Sequence, residues 1–379
     1  MKIVFYTIAL LISSCGPSSN KHSSEEMNTI PDKKNFQQTI DGKPVDLYFL
    51  KNYNNIQIAI TNYGGRIVGL WLPDVKGKIT DVVAGFKSLD DYIHSKEPYY
   101  GALIGRYGNR IRNAQFVLDD SIYTLTANTG VHQLHGGKKG FQYVVWNAKQ
   151  VDDSILELHY LSKDGEEGYP GNLHVKVNYT LTANNELQIE YTAATDKKTV
   201  LNLTAHPFFN LNGEGRGTIN NHLLTVIADN YTPVDSFVIA NGKIETVENT
   251  PFDFRKATTI GARVNDTNEQ LKFGKGYDHN FVLNKGITTL PELAAIVEGD
   301  KSGIIMEILT TEPGLQFYGG NFMKGENIFK SGVKDKFRTT FCLETQHFPD
   351  SPNNPQFPST VLEPGKTYHQ KTIYKFLVK

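Results

Sequence analysis

Two short runs hold a titratable side chain where burial makes charge expensive. In Cys342-Leu-Glu-Thr-Gln-His-Phe-Pro-Asp-Ser-Pro-Asn353, Glu344 ends an apolar, strand-like run (Thr339 to Leu343) and precedes a loop punctuated by proline. In Asn202-Leu-Thr-Ala-His-Pro-Phe-Phe-Asn-Leu211, His206 is held in the same way. A charge in apolar surroundings costs free energy unless it has a partner or a task. A carboxylate and an imidazole placed like this are the ingredients of a proton-transfer pair.

Four more polar groups stand near expected strand ends. Gly105-Arg-Tyr-Gly-Asn-Arg-Ile111 lets the backbone turn tightly and presents Asn109 and Arg110 as a fork of donors. Leu134-His-Gly-Gly137 leaves room beside His135. Tyr277-Asp-His-Asn-Phe281 offers Asp278, and Glu312-Pro-Gly-Leu-Gln-Phe-Tyr318 offers Gln316. Each is ambiguous alone. A lone histidine before proline is commonly a turn residue, an arginine commonly a structural ion-pair partner, and an aspartate in a glycine-rich turn commonly caps the backbone. Other chemistries fail on spacing. There is no phosphate-binding glycine loop between a strand and a helix, no zinc-type Cys/His pattern, and Lys163-Asp-Gly-Glu-Glu-Gly-Tyr-Pro170 does not match an EF-hand.

The elements that must carry these residues read as strands. From about Phe36 onward apolar residues alternate, as in Ile56, Ile58 and Ile60. Val175, Val177, Tyr179 and Leu181 alternate up to Asn184-Asn185, and Leu187, Ile189, Tyr191 and Ala193 alternate after it, which predicts a hairpin. Asp119-Asp120 predicts a second hairpin between Phe116–Leu118 and Ile122–Leu125. Short helices are expected only near Ser88 to His94 and Ile260 to Leu271. The reading is all-β: one large antiparallel sandwich over 36–379.

The first residues read as a targeting segment. Lys2, the apolar run Ile3 to Ile12, and Ile12-Ser-Ser-Cys-Gly16 resemble a bacterial lipobox with Cys15 as the lipidated residue. This gives a signal peptide over 1–14 and a polar, flexible tether over 15–35. Too short to span a bilayer as a stable helix, the apolar run leaves lipid as the expected membrane attachment. With Cys15 so used, Cys342 has no partner for a disulfide and is expected to be buried and inert. A formal net charge of −1 lacks the basic excess that nucleic acid or an anionic membrane surface requires.

Taken in order, Gly-Arg-Tyr-Gly-Asn-Arg-Ile, Leu-His-Gly-Gly, Asp-Gly-Glu-Glu-Gly-Tyr-Pro-Gly, Asn-Leu-Thr-Ala-His-Pro-Phe-Phe-Asn-Leu, Tyr-Asp-His-Asn-Phe, Glu-Pro-Gly-Leu-Gln-Phe-Tyr and Cys-Leu-Glu-Thr-Gln-His-Phe-Pro-Asp-Ser-Pro-Asn resemble the aldose 1-epimerase (galactose mutarotase) family. The resemblance covers the chain from about Phe36 to its end. It implies a large β-sandwich, interconversion of hexose anomers, Glu344 as general base, His206 as general acid and His135 as a second active-site histidine. It also implies that Asn109, Arg110, Asp278 and Gln316 hold the sugar hydroxyls. The family usually has Asn before this histidine and often Ser or Thr after it, where this chain has Ala205 and Pro207. Two proton transfers require no cofactor. The acidic loops leave room for a Ca²⁺ that the chemistry does not need. A free aldohexose is the expected partner and a monomer the expected state. Asp278 or Glu344 is expected to favour the charged form of His206. Three other readings stay open: a glycosidase using Asp278 and Glu344, a sugar-binding lipoprotein without catalysis, and an epimerase of phosphorylated hexoses.

Overall fold

The computed structural model describes Met1 and residues 29–379; residues 2–14 of the expected signal peptide, and Cys15, lie outside the described residues. Nine antiparallel strands form the largest sheet, in the order Asn147–Gln150, Ile155–Ser162, Leu173–Leu181, Glu186–Thr195, Tyr368–Val378, Ile304–Thr310, Glu292–Glu298, Leu223–Val226 and Thr258–Thr259. Alternation places Val175, Val177, Tyr179 and Leu181 on its inner face beside Leu187, Ile189 and Tyr191. Both predicted hairpins form, and their turns use left-handed Asn185 and Asp119.

Against this face packs a five-stranded sheet, ordered Glu245–Thr246, Asn230–Thr232, Asp278–Val282, Gly314–Tyr318 and Cys342–Gln346. Here the period of two sorts the side chains. Phe281, Leu315, Phe317 and Leu343 enter the shared core. Asp278, Asn280, Gln316, Cys342, Glu344 and Gln346 take the opposite face, with Asn280, Gln316 and Glu344 directly opposite one another across three strands. Four strands, Leu47–Lys51, Gln57–Thr61, Arg66–Pro73 and Ile79–Asp81, form a further sheet.

Three expectations need correction. Glu344 is not at a strand end but in the middle of Cys342–Gln346, since the cross-strand ladder with Gly314–Tyr318 runs on to Gln346. The helix expected over 260–271 instead spans Glu269–Gly274, because Asn268 caps it with its side chain and the preceding residues turn; the helix Leu89–His94, capped by Ser88, lies where expected. The tether expected to run to residue 35 overlaps packed chain. Thr29 is buried and its hydroxyl accepts from Trp71 Nε1 at 2.8 Å, and Lys33–Phe36 is a short 3₁₀ turn.

Candidate active site

The polar face of the five-stranded sheet supplies the floor. Asp278 Oδ1 accepts from Gln316 Nε2 at 2.6 Å, and its other oxygen lies 3.6 Å from Arg110 Nη2. Both neighbours favour the carboxylate, yet burial outweighs them and raises the Asp278 pKa above its ordinary value. Glu344 Oε1 lies 3.5 Å from His206 Nε2. Glu344 Oε2, Gln316 Oε1 and His206 Nδ1 are buried without a hydrogen-bond partner. A ligand rich in hydroxyls is what would satisfy such atoms.

His206 reaches this face from a separate segment. Thr204–Ala205 pairs with Leu103–Ile104, and His206 N–H donates to Ala102 O at 2.9 Å. Its ring is stacked on Tyr99 and on Phe208, at centroid distances of 5.8 Å and 4.8 Å. Ala205, one residue earlier, faces the core, where an apolar side chain is at home.

His135 and Asn109 are locked together. His135 N–H donates to Asn109 O at 2.9 Å, and Asn109 N–H donates to His135 Nδ1 at 3.2 Å. Both residues have left-handed backbones. An Nδ1 that accepts leaves the hydrogen on Nε2, so neutral His135 is a donor toward the site. Its ring lies 5.2 Å from that of His206, at 81°.

Ligand atoms of His135, His206 and Glu344 come within 4.8 Å of one another. The tautomer of His135 opposes a metal there, since its free nitrogen carries a hydrogen. Two imidazoles also suit Ca²⁺ poorly, which takes oxygen ligands. The carboxylates of the acidic loop are engaged elsewhere: Asp164 by Lys197 and Gly171 N–H, Glu166 by Tyr160 and Ser162, and Glu167 by the N–H groups of Lys138 and Lys139.

Electrostatics correct one further expectation. Burial lowers the His206 pKa to about 3, so the neighbouring carboxylates do not hold it charged in the free protein. Burial pushes Glu344 well above the carboxylate range, with Asp278 and Glu97 adding to the shift and Arg110 opposing it. Burial therefore favours the neutral pair, with the proton on Glu344 and His206 neutral, over a separated ion pair.

All seven residues singled out for the site in the sequence thus line one buried region: Glu344, His206, His135, Asn109, Arg110, Asp278 and Gln316. Tyr99 and Tyr318 escaped notice. Tyr99 covers both histidines, and Tyr318 meets His206 edge-on at 6.4 Å. In the sequence they are two aromatics among 19 Tyr and 21 Phe, with nothing to separate them from core.

This arrangement comes with matching relatives. A family model described as aldose 1-epimerase matches residues 46–375. The chain belongs to the aldose 1-epimerase family. That places it among the isomerases, in the racemase and epimerase class. It is 41% identical over 325 residues to a galactose mutarotase of Bos taurus, covering 86% of this chain and 92% of that protein. It is 38% identical over 339 residues to an aldose 1-epimerase of Haemophilus influenzae, covering 89% of this chain and 97% of the relative. Among solved structures, an aldose epimerase homologue from C. elegans superposes with a TM-score of 0.81 at 29% identity, covering 88% of this chain and 99% of that one. A galactose 1-epimerase from Lactobacillus acidophilus gives 0.78 at 27%, covering 90% and 97%.

Proposed function

We propose that this aldose 1-epimerase interconverts the α and β anomers of free aldohexoses, galactose and glucose among them, with Glu344 as general base and His206 as general acid. The observation that carries this reading is the buried 3.5 Å approach of His206 Nε2 to Glu344 Oε1, beside Glu344 Oε2, Gln316 Oε1 and His206 Nδ1, which have no hydrogen-bond partner. Glu344 takes the proton of the anomeric hydroxyl while His206 protonates the ring oxygen. The C1–O5 bond opens, C1 turns about C1–C2, and the ring closes on its other face with both proton transfers reversed. No covalent intermediate and no cofactor enters. His135 donates through Nε2, and Asn109, Arg110, Asp278 and Gln316 hold the hydroxyls. The reactive microstate, with Glu344 ionised and His206 charged, differs from the resting one by a proton moved within the pair.

The contacts of Asp278 weigh against a glycosidase. Its two oxygens are taken by Gln316 and Arg110, which suits an anchor for hydroxyls better than a nucleophile. They also disfavour a phosphorylated substrate, because the Arg110 guanidinium already faces a carboxylate. We infer that Ca²⁺ has no part in the reaction. We further propose export and lipid anchoring through Cys15, supported by the residues from Lys2 to Gly16, with the enzyme acting as a monomer outside the cytoplasm. Loss of the protein from the membrane fraction in Cys15→Ser would support the anchor, and unchanged partition would refute it.

Polarimetry on freshly dissolved α-D-galactose and α-D-glucose tests the activity, using protein that lacks residues 1–20. Faster decay of rotation than in buffer is expected with the parent. A parent no faster than buffer on either sugar, yet binding galactose, would leave a non-catalytic sugar-binding lipoprotein.

A further inference from the structure

Asn202 is fully buried and lies four residues before His206. Its backbone N–H donates to Arg106 O at 3.1 Å, and its carbonyl accepts from Gly108 N–H at 2.7 Å. Its Nδ2 donates to Gly108 O at 3.3 Å and to His347 O at 3.2 Å, and its Oδ1 accepts from His347 N–H at 2.9 Å. One side chain thus joins three segments: the turn that presents Asn109 and Arg110, the chain leading to His206, and the end of the strand bearing Glu344.

These bonds matter because of where they fall. The segment carrying His206 and the strand carrying Glu344 meet through backbone hydrogen bonds at Phe209 and Phe341, at 2.7 Å and 2.9 Å. At the other end they meet through the Asn202 amide on His347. Between these two points no backbone hydrogen bond joins the two segments among the described residues. His206 and Glu344 lie in that interval. One fastening is backbone and survives any side-chain change that keeps the two N–H groups; the other is a single side chain. Aspartate has the acceptor but no donor, and leucine has neither. His347 is in turn held by Glu312 at 2.5 Å, so the fastening continues to the start of the strand that bears Gln316.

We propose that Asn202 is a positioning residue, whose amide sets the spacing of His206 and Glu344 and the stance of the turn that carries Asn109 and Arg110. The inference rests on the reading of the site as an anomer-interconverting one. Displacement of a catalytic group by about 1 Å costs about 10²-fold in rate.

The test is polarimetric kcat and KM for Asn202→Ala and Asn202→Asp, expressed per folded molecule at a temperature below each variant's unfolding midpoint. Leu187→Ala, in the core of the nine-stranded sheet and not among the residues that line the site, is the control for lost stability alone. Both Asn202 variants should lose about 10²-fold in kcat with a smaller rise in KM, while Leu187→Ala keeps kcat within about twofold of the parent. Asn202→Asp keeps the acceptor for His347 N–H but turns an oxygen toward two carbonyls, so its loss should be at least as large. Parent-like kcat in either Asn202 variant, an equal fall in Leu187→Ala, or failure of both Asn202 variants to fold would each overturn the proposal. An inactive parent would instead overturn the proposed reaction.

Discussion

Glu344 and His206 are most informative as a pair, because catalysis needs one proton between them. Activity ends when a second proton arrives or the last one leaves, and those two events belong to the pair rather than to either residue. With ordinary values, the acid edge would lie at about 4.3, where a carboxylate titrates. In this site the second proton must go to buried His206, whose pKa is lowered to about 3. The last proton leaves from Glu344, which is raised. The profile of kcat/KM against pH is therefore expected to keep its plateau on acidification below the ordinary carboxylate range, and to fall on the basic side as Glu344 ionises. An acid limb centred between about pH 4 and 6.5 would contradict this assignment. Glu344→Gln removes the base, and an activity loss of at least about 10²-fold with galactose binding retained is expected by polarimetry and calorimetry. The same variant should be more stable at pH 7. Above about pH 4.3 the unfolded chain ionises Glu344 freely while the folded site resists, so the parent loses stability as pH rises toward the raised value. Glutamine carries no such cost, and a melting midpoint at or below the parent's at pH 7 would show that Glu344 is not strained by burial.

Strands and turns decide where these residues can act, and here the sequence was unevenly readable. Alternation between Val175 and Ala193 was explicit because one face is core and the other is not, so both hairpin arms could be placed. The strand Cys342–Gln346 was harder, since both of its faces are buried and its polar residues face a site instead of solvent. That is why Glu344 read as an end rather than a middle. The helix over 269–274 was overextended because nothing in the apolar spacing revealed that Asn268 begins it. Site residues were legible where they sit in glycine-rich turns or interrupt apolar runs. Asn202 was not, because a buried amide with all its bonds made looks in sequence like any other polar residue. Gly136 shows how tightly a turn is specified. Its φ is +84°, and a Cβ there would lie 1.8 Å from Gly105 O. Gly136→Ala should therefore push His135 away from Asn109, with loss of activity and a destabilisation of about 1–3 kcal/mol, measured by polarimetry and denaturant unfolding. Parent-like values for both would mean that the turn yields without moving His135.

At the scale of the whole molecule, the question is where the folded unit begins. Composition placed that point near Phe36, because the residues before it are polar and carry no period of two. Packing places it earlier. Phe36 is fully buried in a second core cluster with Trp71, Phe86, Tyr92 and Tyr100, and the Thr29 hydroxyl accepts from Trp71 Nε1. This cluster also contains Phe208 and Tyr318, which flank His206, so the N-terminal residues and the site share one packed body. Two truncations separate the alternatives. Removal of residues 1–28 leaves every contact named here in place, and the protein is expected to keep its thermal midpoint and its kcat. Removal of residues 1–36 deletes the Phe36 side chain and the hydroxyl that receives Trp71 N–H. Loss of a buried aromatic costs about 3–5 kcal/mol, so this shorter form should melt earlier and lose rate at temperatures where the longer one is intact. If the two forms melted and turned over sugar alike, the chain before residue 37 would be tether after all, and the cluster beneath the site would hold without it.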